Sequence, residues 1–204
     1  MTILGIDPGT ARVGFGLLRK EGSKFVHVAH GCLETPKEMP HADRLSSLHA
    51  ALGELIDTHK PALVGVEKLF FQKNVKTAMS VSEARGVTLL ALRDRGVPIS
   101  EHTPMQVKMA ITGYGGADKK QVQEMVRILF KLKEVPKPDD AADALAIAVW
   151  GAHSTREGSG RLSPVMDRAA VAPIARGESG FDRAVKDALA KEAAEARASK
   201  RNAS

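Results

Sequence analysis

The sequence predicts an α/β protein built on a mixed β-sheet. Three apolar or alternating segments that favour strands, 1–6, 13–19 and 24–33, follow one another with short turn sequences between them. The next strand-like run, 62–66, comes only after a helix-length segment. A short hairpin link joins antiparallel strands, whereas a helical connection allows parallel pairing, so the two together indicate a mixed sheet.

In the first half of the chain, turn residues and apolar spacing mark the elements. Asp-Pro-Gly at 7–9 ends the first strand, and Glu-Gly-Ser at 21–23 links the second and third strands into a hairpin. The first helix, which lies on the sheet, is predicted from an apolar stripe with spacings of three and four, formed by Leu45, Leu48, Leu52, Leu55 and Ile56. A second helix is predicted over 75–93.

The next elements are a short strand and a capped helix. Residues 96–99, Gly-Val-Pro-Ile, are interpreted as the strand. Thr103 is a good N-cap, proline suits the first helical turn, and Gln106 completes a capping box, which predicts a helix through Ile111.

Two further helices follow a glycine-rich turn at 113–116. Asp118 and Gln121 repeat the capping pattern before a helix with the sequence VQEMVRILFKL. The last core helix is predicted from about Asp139 to His153.

The chain divides into one main domain, 1–153, and a C-terminal tail, 154–204. A chain of 204 residues is long enough for one well-packed domain of this class. The tail begins with a stretch rich in Ser, Gly, Arg and Pro, so it is predicted to be flexible, with at most a marginal charged helix near its end.

Cysteine content and the N-terminal sequence favour a cytoplasmic protein. Cys32 is the one cysteine, which excludes an internal disulfide and a cysteine-based zinc cluster. The first residues lack the pattern of a signal peptide, and no apolar run reaches the ~20 residues of a membrane span.

The positive charge is concentrated in the middle of the sequence. The net charge is +6, and residues 68–95 and 106–137 each carry an excess of four basic side chains. Such segments favour a polyanionic partner, although each alone is also typical of a solvated helix face.

Four acidic residues, Asp7, Glu67, Asp140 and Asp143, lie beside or inside apolar runs. A carboxylate is costly to place there without a partner, and three separate segments each supply one or two. Convergence of this kind indicates a cation site, because Mg²⁺ prefers oxygen ligands. Taken singly, Asp7 also fits a turn residue and Glu67 a buried salt bridge.

Asp140 and Asp143 are spaced i, i+3, so they share one face near the start of the predicted helix. The helix dipole favours their charged forms at that end. Ordinary N-capping remains an alternative, and Asp139, one position off the shared face, is the better cap.

An ordered set of motifs resembles a known family. It comprises ILGIDPGTARVGFG, VGVEKLFFQKN, SEARGV, QVKMAITGYGGADKKQVQEMV and DDAADALAIA. Together these are similar to the RuvC Holliday junction resolvases of bacteria, the crossover junction endodeoxyribonucleases, over roughly residues 1–153. The resemblance implies an RNase H-like fold with a mixed five-stranded sheet flanked by helices.

The resemblance also implies an activity and its site. Asp7, Glu67, Asp140 and Asp143 fall on the family's catalytic and metal-binding positions. The implied reaction is Mg²⁺-dependent cutting of two symmetric strands of a four-way DNA junction in recombination and repair, leaving nicks that ligase seals. Two Mg²⁺ per site are expected, with Mn²⁺ as a substitute. The sequence departs from the family pattern in that Asp139 precedes Asp140, which makes Asp139 an alternative ligand.

The same resemblance supplies DNA contacts. Lys108 and Lys119 match basic family positions, Lys120 adds a cation beside them, and Phe70 matches an aromatic at the junction centre, where stacking stabilises an unpaired base. Tyr114 fits either a DNA contact or a loop anchor.

Partners are also implied by the resemblance. Family members act as homodimers, because a junction has two-fold symmetry, and the predicted helix 75–93 is the candidate interface. A branch-migration motor is the other expected partner. The implied setting is the bacterial cytoplasm, in association with the nucleoid.

Two other functions fit parts of the sequence. The Asp-Pro-Gly-Thr motif at 7–10 is similar to a phosphate loop of actin-like and sugar-kinase ATPases, but that fold generally has two copies of the domain and this chain has length for one. A noncatalytic module for branched DNA would explain the basic segments and would need no carboxylate cluster.

Overall fold

The computed structural model describes residues 1–9, 11–68 and 75–157. These residues form five strands and five helices. The strands are β1 (Thr2–Asp7), β2 (Arg12–Glu21), β3 (Lys24–Glu34), β4 (Leu63–Glu67) and β5 (Ile99–His102). The helices are α1 (His41–His59), α2 (Val75–Asp94), α3 (Pro104–Thr112), α4 (Lys119–Leu129) and α5 (Asp139–Glu157).

The strands form one mixed five-stranded sheet in the order β3-β2-β1-β4-β5. The first three strands pair antiparallel, and Gly22 closes the β2–β3 hairpin with a φ of 61° that favours glycine. Strand β4 pairs in parallel with β1 on one side and β5 on the other, since α1 and α2 return the chain before β4 and β5 respectively. The mixed sheet predicted from the sequence is thus confirmed.

The capping boxes of α3 and α4 form as predicted. The Thr103 hydroxyl accepts a hydrogen bond from the backbone N–H of Gln106 at 3.3 Å. The side-chain oxygen of Gln106 accepts one from the backbone N–H of Thr103 at 2.8 Å. Asp118 and Gln121 make the equivalent pair at 2.9 Å each. Both helices therefore begin at the residue after the cap.

Strand β5 begins three residues later than predicted, so the strand at 96–99 was placed wrongly. Gly96, with a φ of 66°, donates a hydrogen bond to the Arg93 carbonyl and forms the turn that follows α2. Pro98 has no amide hydrogen and contributes only its carbonyl, which accepts from Val64. Regular pairing therefore starts only after the proline.

The two faces of the sheet bury separate apolar clusters. Helices α1 and α2 cover one face, where Leu52 and Val66 are fully buried. Helices α3, α4 and α5 cover the other, where Ile3 and Leu145 are fully buried. Within the described residues, none of the helices combines the length and the apolar character that a membrane span requires.

Helix α5 lies very close to the sheet because glycines face it. A β-carbon on Gly14 would overlap the Asp140 carbonyl oxygen, and one on Gly5 would overlap the Ala144 carbonyl oxygen. The helix presents alanines to the sheet, and Ala144 and Ala148 are fully buried. Small residues on both sides therefore set the distance between helix and strands.

The predicted boundary between domain and tail stays a prediction. Helix α5 continues beyond His153 to Glu157, and the remainder of the tail lies outside the described residues.

We expect Gly14→Ala to destabilise the protein by about 1–3 kcal/mol, because the new methyl group must displace the first turn of α5. Thermal or urea unfolding measures this change. Gly151→Ala is the matched control on α5 itself, since its β-carbon would make only ordinary contacts, 3.7 Å from Ile3 and 3.8 Å from Gly65. That variant should be as stable as wild type or gain up to about 1 kcal/mol. Equal stability of wild type and Gly14→Ala would show that Gly14 does not hold α5 in place.

Candidate active site

Asp7 and Glu67 end two neighbouring parallel strands. Ile6 of β1 pairs with Val66 of β4, so the acidic residues that follow them emerge side by side at the same edge of the sheet. Gly5, two residues before Asp7, faces α5. Because residues two apart on a strand point to the same face, the Asp7 side chain also lies on the α5 side of the sheet. Parallel pairing thus brings together two carboxylates that are far apart in sequence.

Asp140 and Asp143 come from the first turns of α5. Their side chains are 35% and 27% exposed, whereas that of Asp139 is 67% exposed. The i, i+3 pair therefore shares the inward face, as the spacing predicts, and Asp139 lies off it. Asp139 is itself the first residue of α5, so it lies inside the helix and not at the predicted cap position. The contact between Gly14 and the Asp140 backbone holds this end of α5 against β2.

Asp7 has the largest pKa shift of the four acids. Burial raises the pKa of Asp7 to about 8, and the charges of Asp143, Glu67 and Asp140 contribute to the rise, while Lys119 opposes it. All three other carboxylates thus act on Asp7, which places the four in one electrostatic cluster.

Glu67 and Asp143 show the same effect. Burial raises the pKa of Glu67 to about 7, with a further contribution from Asp143 and an opposing one from Lys108. Burial also raises the pKa of Asp143, against the bond from Lys119. Without added positive charge, the cluster therefore holds protons near neutral pH.

Lys119 is a cation that contacts the cluster directly. Its ammonium nitrogen lies 2.9 Å from an Asp143 oxygen and 3.5 Å from an Asp139 oxygen. Burial alone would lower the pKa of Lys119, but the hydrogen bond to Asp143 and the two carboxylate charges raise it overall. Lys119 thus offsets part of the negative charge and links α4 to α5.

The other predicted DNA contacts lie at different places. Lys108, on α3, is near enough to Glu67 to lower its pKa. Lys120, on α4, lines a separate hollow beside Tyr114. Phe70 lies outside the described residues, so its role stays a prediction.

The donor set fits a hard divalent cation. All four acids offer carboxylate oxygens, which Mg²⁺ prefers, and positive charge would relieve the repulsion among them. Within residues 1–9, 11–68 and 75–157 no three Asp, Glu, His or Cys side chains are already arranged as a ligand set. Asp143 instead has Lys119 as its cationic partner, so a metal ion would compete with an existing ion pair.

Arg12 is a site residue that the sequence analysis missed. Its guanidinium lies 3.2 Å from Glu34 and 3.9 Å from Asp140. It also lines an open hollow of about 730 Å³ together with Lys119, Lys137 and Asp140. Asp139 lines the hollow as well, so three cationic side chains face two acidic ones there. In sequence Arg12 is only a polar residue before a strand, and no signal there places it opposite the start of α5.

His102 is a second neighbour of the site that the sequence analysis missed. It pairs with Glu67 in the β4–β5 register and is fully buried, with its ring centroid 5.1 Å from that of Trp150. Burial lowers the pKa of His102 to about 4, although the backbone of Thr103 opposes this and Lys68 adds to it. The imidazole is therefore neutral at pH 7. The sequence of β5 carries no signal for this burial, because His102 shares its strand face with Ser100 and the apolar Ile99 lies on the other face.

The chain matches known proteins over most of its length. Residues 3–151 match the family model described as crossover junction endodeoxyribonuclease RuvC. A protein of that name from Brevibacillus brevis is 56% identical over 149 residues, which cover 73% of this chain and 90% of that protein.

Solved structures agree with these sequence matches. The structure of Thermus thermophilus RuvC has a TM-score of 0.72 and 37% identity, and the match covers 78% of this chain and 98% of that one. The structure of T. thermophilus RuvC in complex with Holliday junction substrate gives a TM-score of 0.71 and 35% identity, with the same coverage. The RNase H-like fold predicted for the chain is thereby confirmed, and the chain belongs to the RuvC family of crossover junction endodeoxyribonucleases.

Proposed function

We propose that the protein is an endonuclease that resolves Holliday junctions by cutting two symmetric strands with a carboxylate cluster. The observation that carries this proposal is the convergence of Asp7, Glu67, Asp140 and Asp143 on one edge of the sheet, in a chain of the RuvC family. A relative with 35% identity has been solved with Holliday junction substrate. Four-way junction DNA is accordingly the proposed substrate, and the nicks are expected to be ligatable.

The four carboxylates are the proposed ligands for divalent cations, with Mg²⁺ as the metal and two ions per site. Bound cations supply an activated water and stabilise the leaving 3′ oxygen of a phosphodiester. The raised pKa values of Asp7 and Glu67 support this assignment, because buried carboxylates that repel one another gain most from positive charge.

Lys108 and Lys119 are the proposed phosphate contacts at this site. Lys119 contacts Asp143, and Lys108 acts on Glu67, so the two cations reach the cluster from different helices. A phosphate near the carboxylates would meet positive charge from both helices. Such contacts add affinity without reading sequence.

A homodimer is the proposed assembly, with α2 as the interface. Met79 and Leu90 of α2 are 72% and 54% exposed, and a β-carbon on Gly86 between them would meet nothing within 4 Å. At spacings of seven and four these positions lie on one helical face, which is apolar and open. A symmetric contact through this face would place two identical sites on a two-fold substrate. The branch-migration motor stays a prediction that rests on the family resemblance.

We expect Asp140→Asn to reduce junction cutting in Mg²⁺ at least ~100-fold while binding in EDTA is kept, because the variant loses a charged ligand but no DNA contact. Asp139→Asn is the matched control. Its side chain is exposed and contacts Lys119, so a loss below roughly ten-fold is expected. The measurement is the mapping of cuts on a mobile four-way junction and on a linear duplex of the same sequence.

Three outcomes would contradict the assignment. Full cutting by Asp140→Asn would remove Asp140 from the site, and equal losses in both variants would add Asp139 to it. ATP turnover by the wild type without junction cutting would favour the phosphotransfer alternative.

We expect the metal-free protein to lose stability as the pH rises from about 5 to about 8, because Asp7 and Glu67 have pKa values of about 8 and about 7 in the fold. Both values lie above those of the unfolded chain, so the fold binds more protons than the unfolded chain in this range, and raising the pH favours unfolding. Thermal unfolding in EDTA measures the loss. In Asp7→Asn the fall in Tm over this pH range should be smaller by several degrees, since 1 kcal/mol of stability corresponds to about 2–4 °C in Tm.

Added Mg²⁺ should restore the stability of the wild type at about pH 8 more than that of Asp7→Asn, because it replaces the lost protons as counter-charge. Glu54→Gln, at an exposed position of α1, is the control and should behave as wild type. An Asp7→Asn profile that matches the wild type would show that Asp7 does not titrate in this range.

We expect Leu90→Glu to shift the protein from dimer to monomer at micromolar concentration, because a charge would be buried in the proposed interface. Analytical ultracentrifugation measures the change. Ile128→Glu is the matched control, since Ile128 is exposed on α4 and its replacement should leave the dimer intact. A wild type that sediments as a monomer both alone and with junction DNA would contradict the paired-cutting mechanism.

A further inference from the structure

The turn between α3 and α4 holds an exposed tyrosine on a fixed backbone. Gly113 ends α3 with a φ of 71° and donates to the Met109 carbonyl at 2.9 Å. The Tyr114 amide donates to the Thr112 hydroxyl at 3.1 Å, and the Tyr114 carbonyl accepts from the Ala117 amide at 3.2 Å. The backbone of Tyr114 is therefore anchored by its neighbours, and its side chain is not needed for that task.

The ring of Tyr114 lies over a glycine and faces solvent. A β-carbon on Gly116 would lie 2.5 Å from the Tyr114 hydroxyl oxygen and 2.6 Å from Cζ, so the outer part of the ring covers that residue. Tyr114 as a whole is nevertheless 65% exposed. Among the described residues no other aromatic ring packs against it. Much of the ring is thus open to a ligand.

An open hollow of about 490 Å³ adjoins the ring. Tyr114, Ala117 and Met125 give it an apolar wall, and Lys120 gives it a cation. The acidic side chain among the described residues that line it, Glu124, pairs with Arg127 at 2.9 Å, so its charge is offset. An open aromatic surface beside a lysine is a combination that binds single-stranded nucleic acid.

The turn leads directly into the candidate active site. Lys119, which contacts Asp143, follows Tyr114 by five residues, so their α-carbons are at most about 18 Å apart. At roughly 3.4 Å per nucleotide, this distance corresponds to about five stacked nucleotides of one strand. A strand whose phosphate reaches the carboxylates can therefore also reach Tyr114.

We propose that Tyr114 stacks on an unpaired base of the junction strand within about five nucleotides of the cut, while Lys120 contacts a neighbouring phosphate. This inference rests on the proposed function. A nucleic acid is favoured over a protein partner because the segment 106–137 carries an excess of four positive charges and the acid in the hollow is already paired. Stacking is the specific role, since every base offers a flat face to an aromatic ring.

The test uses the full-length protein and four-way junctions with 2-aminopurine placed singly at each of about five positions on either side of the cut. Binding is measured in EDTA, so that no strand is cut. We expect the fluorescence at one position to change on binding of wild type and Tyr114→Phe, and this change to be lost with Tyr114→Ala. The Kd of Tyr114→Ala should rise roughly ten-fold, and that of Tyr114→Phe should stay near the wild-type value.

Salt dependence separates stacking from charge. Tyr114→Ala should leave the slope of log Kd against log salt unchanged, whereas Lys120→Ala should reduce it by about one. Met109→Ala is the control for loss of exposed apolar surface, because Met109 is exposed on α3, and it should keep the base signal. Thermal unfolding of each variant checks that the protein is still folded.

Two results would overturn the inference and leave the proposed function intact. If Tyr114→Ala gave the same base signal and Kd as the wild type and cut junctions normally, Tyr114 would not stack on DNA, and a protein would be the favoured partner for this surface. An equal loss in Tyr114→Phe and Tyr114→Ala would assign the effect to the hydroxyl group and not to stacking. A wild type that cuts no junction would instead contradict the proposed function itself.

Discussion

The close contact between α5 and the sheet is the constraint on which the site depends. Gly5 and Gly14 leave room for the helix backbone at Ala144 and Asp140, and side chains at those strand positions would push α5 outward. Because the acidic residues of α5 lie in its first turns, any outward movement would separate them from Asp7 and from its strand neighbour. The glycines therefore affect the candidate site indirectly. They set the distance between α5 and the strands, although none of them carries a functional group.

The same contact brings acidic side chains close together in a buried place, and nearby lysines offset only part of their charge. Burial and mutual repulsion at this edge raise the pKa values of Asp7 and Glu67, which measure the cost of keeping both groups charged. Lys119 neutralises part of the charge through Asp143 and at the same time ties α4 to α5. Asp143 would help to hold a divalent cation, and with that counter-charge present Lys119 would be available to contact a phosphate of the proposed DNA substrate.

Local sequence rules predicted much of this architecture, and tertiary contacts explain the rest. Capping boxes at Thr103 and Asp118 depend on residues three positions apart, so the sequence alone was sufficient to place them. Strand β5 was misplaced because Gly96 lies in the turn after α2, held by a bond to the Arg93 carbonyl that no strand pattern reveals. Arg12 and His102 were missed because their proximity to the acids results from strand pairing and helix packing, which bring together residues distant in sequence.

If Tyr114 and Lys119 contact DNA as proposed, the turn between α3 and α4 would hold their two points of contact with one strand at a fixed separation. Its backbone is held by Thr112 before the turn and by the Asp118 capping box after it, so Tyr114 and Lys119 are carried on one rigid unit. A base on Tyr114 and a phosphate at Lys119 would then be a set number of nucleotides apart. Since phosphates alone are equivalent along a strand, a stacked base is what can select the phosphate that meets the carboxylates.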